Sequence, residues 1–139
     1  MLSNIFEDRP GARVNSLDGC LKRIMEIPGA CGVTLVDGAS GLAVAAVGAH
    51  DIVDEHEDAA GTTDVMRTVL ACTALSSSSA DDDVRELIVC RDKGFHLLHL
   101  LDGDFEGRLF VHAVFDGAAA NLGMARYQLK AALEEMAGR

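Results

Sequence analysis

Three apolar runs separated by short polar segments occupy the second half of the 139-residue sequence. They are VRELIVCRD from Val84, FHLLHLL from Phe95 and RLFVHAVFD from Arg108, and only Lys93 and Gly94 join the first run to the second. A two-residue connection is long enough for a hairpin and too short for the helix of a parallel crossover. The spacing therefore predicts an antiparallel meander of three strands.

The first half predicts a helix followed by a hairpin. The helix is indicated by apolar residues at helical spacing, which are Leu17, Cys20, Leu21, Ile24 and Met25. Asn15 or Ser16 precedes them as a candidate cap, and Pro28 with Gly29 ends the helix. ACGVTLVD and LAVAAVG then predict two strands joined by the turn at 37–41. Both strands are apolar on both faces, which predicts layers above and below the sheet.

A second helix is predicted from about Ala59 to Leu75, after the acidic segment HDIVDEHED at 50–58. Its apolar residues form two neighbouring lines, Val65 with Val69 and Cys72, and Met66 with Leu70 and Thr73. That face is wider than contact with one sheet requires, so we expect something beyond the helix's own sheet to cover it.

A third helix is predicted from about Ala118 to Met136, because apolar residues again recur at helical spacing. The order of elements is then α-β-β-α-β-β-β-α. This order predicts an α/β (α+β) domain in which one five-stranded, mixed or antiparallel sheet carries helices on both faces.

Charge and cysteine spacing exclude several classes of function. Twelve Lys and Arg against 22 Asp and Glu give a formal charge of −10, which disfavours nucleic acid and anionic lipid as partners. The first residues lack the basic start of a secretory signal, and no apolar run is long enough to span a bilayer, so we expect a cytoplasmic protein with no membrane insertion. The four cysteines form no C-x-x-C pair, and buried free thiols are expected.

The histidines and acidic clusters predict no metal, cofactor or catalytic site. His96 and His99 are three residues apart in a predicted strand, so their side chains point to opposite faces and cannot share one ion. HDIVDEHED, with His50 and His56, lacks a fixed ligand geometry, and a solvated, helix-capping role is favoured. Asp81 to Asp83 lack the spacing of a calcium loop, and Cys31 has no histidine placed beside it by sequence.

The sequence nevertheless resembles a known family. IPGACGVTLVDGASGLAVA, KGFHLLHLLDG and LFVHAVFDGAAANLGMARYQLKAAL, in this order and spacing, resemble the Roadblock family, the relatives of dynein light chain whose bacterial members regulate small Ras-like GTPases. The resemblance covers about Val14 to Ala137. It implies a profilin-like fold, with 1–13 as an N-terminal arm and 14–139 as a single domain. Ser76 to Asp83 and HDIVDEHED depart from the family pattern.

The resemblance also implies a homodimer formed through the second helix and the third strand, and no catalytic residues. The residues predicted to form the dimer or partner interface are Val65, Met66, Val69, Leu70 and Thr73 on the helix, and Val84, Arg85, Glu86, Leu87, Ile88, Val89 and Arg91 on the strand. Opposite charges on that strand could set one register across a two-fold axis. Asn121 and Arg126 match family positions and are assigned a structural role, in capping the last helix or tethering it to the sheet.

The resemblance thus implies a non-catalytic homodimeric regulator or scaffold that binds a small Ras-like GTPase and modulates its nucleotide cycle or location. A sensor kinase complex is a further partner that the family allows. Two alternatives stay open, a small-molecule sensor of profilin-like fold and, less favoured, a metal-dependent enzyme that uses HDIVDEHED. The sequence does not identify the GTPase, the direction of regulation, the choice between homodimer and heterodimer, or the role of the Ser76 to Asp83 loop.

Overall fold

A computed structural model describes residues 10–48, 53–101 and 108–138, except for the side chains of 10–16 and 137–138. The elements are α1 (Pro10–Met25), β1 (Ala30–Asp37), β2 (Leu42–Gly48), α2 (Glu55–Ala71), β3 (Glu86–Arg91), β4 (Gly94–Leu100), β5 (Leu109–Asp116) and α3 (Leu122–Gly138), with a short 3-10 turn at Thr73–Leu75. The predicted order of helices and strands is confirmed.

The five strands form one sheet in the order β2-β1-β5-β4-β3, and every neighbouring pair is antiparallel. The predicted meander is therefore present as β3-β4-β5, while β1 inserts beside β5 and brings the first hairpin into the same sheet. Consequently β2 and β3 are the two edge strands of the described sheet.

Each face of the sheet carries its own apolar layer. Helices α1 and α3 cover one face, where the buried side chains include Leu21, Ile24, Leu35, Leu97, Phe115 and Leu129. Helix α2 covers the opposite face, where Met66 and Ala59 pack with Val36, Leu98, Leu100 and Phe110. Strand alternation explains the division, because successive residues of β4 and β5 enter different layers.

The first two helices begin earlier than predicted. Helix α1 starts at Pro10 and continues through Asn15 and Ser16, so neither of these residues is its cap. Helix α2 starts at Glu55 because Asp54 caps it, with Asp54 Oδ1 accepting from the backbone N–H groups of His56 at 3.0 Å and Glu57 at 2.9 Å. It ends at Ala71 rather than at Leu75, because Cys72 has extended backbone angles.

Other boundaries shift by a few residues. Val84 and Arg85 precede β3, although the backbone O of Arg85 still accepts from Leu100 N at 2.9 Å. Helix α3 begins at Leu122 rather than near Ala118 because the Asn121 side chain accepts from Met124 N at 2.9 Å. The segment at 102–107, His50, and residues 1–9 of the predicted arm lie outside the described residues, and the division into arm and domain stays a prediction.

The cysteines are free, but they are not all buried. Cys20 is buried, Cys31 and Cys72 are half-buried, and Cys90 is exposed. The prediction of buried thiols is wrong for Cys90 because it lies on β3, whose edge position leaves it uncovered. In the described part of the chain, no helix is long and apolar enough to cross a membrane.

Candidate functional site

Strand β3 exposes both its backbone edge and its side chains. Ile88 is 37% exposed and Val89 is 45% exposed, whereas Leu87 packs partly against the apolar layer beneath α2. An edge strand also presents N–H and C=O groups that a further strand can pair with. Apolar side chains on such an edge favour pairing with another chain more than charged ones do.

One of the two predicted apolar lines of α2 faces outward. Val65 is 46% exposed and Val69 is half-buried, whereas Met66 is only 2% exposed and packs into the core. Leu70 packs partly on the same core layer, and Thr73 is exposed beyond the end of the helix. The surplus apolar surface is therefore narrower than predicted, because the line that contains Met66 is used by the chain's own sheet.

The α2 surface and part of the β3 edge lie on the same side of the sheet. Leu87 and Leu70 contact the same buried cluster, which places Leu87 on the α2 face. Side chains alternate along a strand, so Val89 shares that face with Leu87. Val65, Val69 and Val89 thus lie on the same side of the sheet, and we call these three residues together the apolar surface.

The charged residues of β3 have partners within the chain. Arg91 forms an ion pair with Asp116 on β5, across Gly94. At the other end of the strand, Glu86 Oε1 accepts from Arg126 Nε on α3 at 2.6 Å, and Glu86 Oε2 lies 3.6 Å from His99 Nδ1. Glu86 and Arg91 thus already have intramolecular partners, which weakens their predicted role in setting a dimer register.

Asn121 and Arg126 each form a hydrogen bond that involves α3. The Asn121 side chain accepts from the first turn of α3, and Arg126 links that helix to β3 through Glu86. Arg126 and Glu86 are 49% and 26% exposed, so water weakens this ion pair. Capping and tethering to the sheet are the two structural roles assigned to these residues from sequence.

A polar network crosses the sheet beneath α2. His112 Nδ1 lies 2.7 Å from Asp58 Oδ1, and both side chains are 9% exposed. His112 Nε2 lies 2.8 Å from His96 Nδ1, and His96 Nε2 accepts from Arg91 Nε at 3.0 Å. The network therefore runs from the first turn of α2 through β5 and β4 to the edge strand β3.

The partners assign every proton in this network. Arg91 Nε always carries hydrogen, so His96 Nε2 accepts and the His96 proton lies on Nδ1. His96 then donates to His112 Nε2, which leaves the His112 proton on Nδ1 to be donated to Asp58. Burial lowers the pKa of His96, and His112 and Arg91 lower it further, which agrees with a neutral ring.

Asp116 extends the network to Cys31 on β1. Its bond from Arg91 lowers the pKa of Asp116, and its Oδ2 accepts from Cys31 Sγ at 3.6 Å. Burial and the neighbouring Asp116 charge raise the pKa of the Cys31 thiol. A raised pKa favours the thiol over the thiolate, so the environment does not activate Cys31 as a nucleophile.

Sequence reasoning missed the Asp58–His112–His96 contacts. His96 and His99 lie on opposite faces, as strand alternation predicts, but His96 meets His112 because β4 pairs His96 with Val114 and Leu98 with His112. This diagonal neighbour is set by the register of the β4–β5 hairpin.

The acidic segment before and within α2 divides into three parts. Asp54 caps the helix and Glu55, His56 and Glu57 are exposed, which is the predicted solvated role, whereas Asp58 is buried against His112. Residues 50–52 lie outside the described residues. Among the described residues, no group of three or more His, Cys, Asp or Glu could hold a metal ion.

Comparison with known proteins identifies the fold. No protein-family model matches the chain, and no curated protein matches its sequence. Among solved structures, Myxococcus xanthus MglB has a TM-score of 0.73 at 18% identity, covering 89% of this chain and 86% of that one. An MglB with a tetrameric arrangement has a TM-score of 0.74 at 19% identity, covering 94% and 91%.

A Roadblock/LC7 domain from Streptomyces avermitilis is also similar. Its TM-score is 0.61 at 14% identity, and the likeness covers 85% of this chain and 88% of that domain. These likenesses extend over nearly the whole described sheet and its three helices. The chain therefore has the fold shared by the MglB and Roadblock/LC7 domain proteins.

Proposed function

We propose that the protein is a non-catalytic regulator that pairs with a second copy of itself through β3 and α2 and, as a dimer, binds a small Ras-like GTPase. The observation that carries this proposal is the apolar surface on the edge of a Roadblock-type fold. It combines an unpaired strand edge with Val65, Val69 and Val89 on one side of the sheet. A self-complementary patch of this kind suits a two-fold dimer.

One of the fold neighbours supports self-association. One similar MglB structure is described by its tetrameric arrangement, so a protein of this fold assembles with copies of itself. Joining two β3 edges and covering Val65 and Val69 of α2 would bury about 1,200 Å² or more, the size of a specific interface. Edge pairing would satisfy the backbone groups that a single copy leaves to water.

Dimerisation is tested by solution mass, measured by light scattering at micromolar concentration. We expect twice the chain mass for the protein, and a shift to the single-chain mass for Val89→Asp and for Val65→Asp, because each change introduces a charge into the pairing surface. Leu42→Asp is the matched control, since Leu42 is 64% exposed on the opposite edge strand β2. A single-chain mass for the unmodified protein, or an equal effect of Leu42→Asp, would refute pairing through β3.

Regulation is tested with a purified small GTPase from the same source. We expect the dimer to bind it and to change its rate of nucleotide hydrolysis or release, and the Val65→Asp variant to lose that effect. The same variant must keep its circular dichroism spectrum, which separates loss of the surface from loss of the fold. A dimer that neither binds the GTPase nor alters either rate would leave self-association standing and refute the regulatory role.

A further inference from the structure

A small cavity lies beneath the second half of α2, apart from the apolar surface and the polar network. Its volume is about 240 Å³, and it is bounded by the residues Gly38, Ala39, Thr63, Met66, Arg67, Leu70, Leu100, Arg108 and Phe110. The four large apolar side chains come from α2, β4 and β5.

One wall of the cavity carries a polar group without a partner. Thr63 is 1% exposed, and its Oγ1 has no hydrogen-bond partner in the described structure. A buried hydroxyl that makes no hydrogen bond costs free energy, so its retention at a cavity wall points to a partner from outside the chain. Its neighbour Thr62, by contrast, bonds to Asp58 O at 2.7 Å.

Two arginines lie at the rim. Arg67 and Arg108 both border the cavity and are both exposed. Arg67 is held over the β1–β2 turn, where one of its terminal nitrogens donates to Gly38 O at 3.0 Å and to Ala39 O at 2.9 Å. Its other two nitrogens make no hydrogen bond to another described residue, and the bonds to the turn hold them in a fixed orientation, as recognition of a carboxylate requires.

We propose that this cavity binds a small molecule with one carboxylate and a short apolar chain. Thr63 and Arg67 are four residues apart on α2 and therefore neighbours on one helix face, so a single carboxylate can accept from both. Arg108 supplies a second positive charge at the rim. The apolar chain then lies against Met66, Leu70 and Phe110. The volume is below the roughly 300 Å³ at which pockets for drug-sized ligands begin, which favours a small acid over a peptide segment.

The test uses the full chain and two probes of equal chain length, sodium hexanoate and hexan-1-ol. The Met66 methyl signal is followed by NMR during each titration. We expect a saturable shift for both probes, with hexanoate binding at least about tenfold more tightly, because only hexanoate offers charge-assisted hydrogen bonds. No saturable shift at Met66, or equal affinity for the two probes, would overturn the proposal.

Variants then separate the recognition groups from general charge effects. Arg108→Gln should weaken hexanoate about tenfold and leave hexan-1-ol unchanged, and Thr63→Val should weaken hexanoate about fivefold. Lys130→Gln, which removes the same charge from α3 on the opposite face, should leave both affinities unchanged. If Thr63→Val raises stability without altering hexanoate affinity, the Thr63 hydroxyl does not bind the carboxylate and the proposed site is wrong. These outcomes do not depend on dimerisation or on a GTPase.

Discussion

Removing the Asp58 carboxylate should destabilise the protein far more than removing a neighbouring carboxylate from the same helix turn. Asp58 and Glu57 both lie in the first turn of α2, but Asp58 is 9% exposed and its Oδ1 lies 2.7 Å from His112 Nδ1. In Asp58→Ala the buried His112 N–H loses its acceptor, at a cost of about 1–3 kcal/mol. Loss of a negative charge near the helix N-terminus adds about 0.3–1 kcal/mol.

The two contributions together give an expected total of about 2–3 kcal/mol for Asp58→Ala, near the middle of their summed range. In urea, with a slope of about 2 kcal/mol per molar, the unfolding midpoint should fall by about 1–1.5 M. Glu57→Ala should shift it by about 0.3 M, since that side chain is exposed and contributes only through the helix dipole. Asp58→Asn, which keeps an oxygen acceptor, should lie between the two.

The assay is equilibrium unfolding followed by circular dichroism at pH 7 and a single fixed protein concentration, because a dimer's midpoint depends on concentration. A double variant of Asp58→Ala with His112→Ala should cost less than the sum of the single changes by about 0.5–3 kcal/mol. Equal midpoints for Asp58→Ala and Glu57→Ala, or additive single changes, would show that the Asp58–His112 bond does not stabilise α2 on the sheet.

Three further predictions test other contacts. The pKa of His96 is lower in the folded protein than in the unfolded chain, so below pH about 6.5 the unfolded chain binds more protons and the protein loses stability as the pH decreases. His96→Gln should make this loss of stability smaller. Gly94→Ala should lower the free energy of unfolding by about 2–3 kcal/mol, because the new Cβ would lie 2.4 Å from Phe115 O and 2.2 Å from Asp116 Oδ1. Gly61→Ala should raise it by about 0.5–1 kcal/mol, because Gly61 lies inside a helix and its Cβ would have no neighbour within 4 Å. Thermal unfolding measures both changes. Arg126→Met should cost no more than about 1 kcal/mol in urea unfolding, since the ion pair with Glu86 is partly exposed.

Local periodicity was sufficient to predict the helices and strands and their order along the chain, but not the position of β1 beside β5 in the sheet. The two-residue connection predicted at Lys93-Gly94 required a hairpin, and the structure has this hairpin one residue earlier, with Asp92 and Lys93 as the turn and Gly94 as the first residue of β4. Alternation along β4 placed His96 and His99 on opposite faces before any register was known. Helix ends were predicted less well, because a cap such as Asp54 depends on which of several acidic residues adopts an extended backbone. Such a choice is settled by tertiary packing, which sequence periodicity does not record.

The candidate sites required long-range information. The α2 sequence offers two apolar lines of similar quality, and only its docking on the sheet shows that Met66 faces inward while Val65 faces outward. The contact between His96 and His112 depends on hairpin register, and the orphan hydroxyl of Thr63 depends on how α2 docks against the sheet and the β1–β2 connection. None of these features has a signal within a window of one helix or one strand.

The polar network accounts for the orientation of α2 more specifically than its apolar contacts do. Burial of Met66 and Ala59 favours any arrangement that removes apolar area from water, because the hydrophobic effect has no direction. The bond between Asp58 and His112 has a direction, and rotating the helix away from it leaves two buried polar groups unpaired. The same rotation would turn Val65 and Val69 away from the side that carries Val89. The buried hydrogen bond between Asp58 and His112 thus helps to fix the rotation of α2 that leaves Val65 and Val69 on the apolar surface.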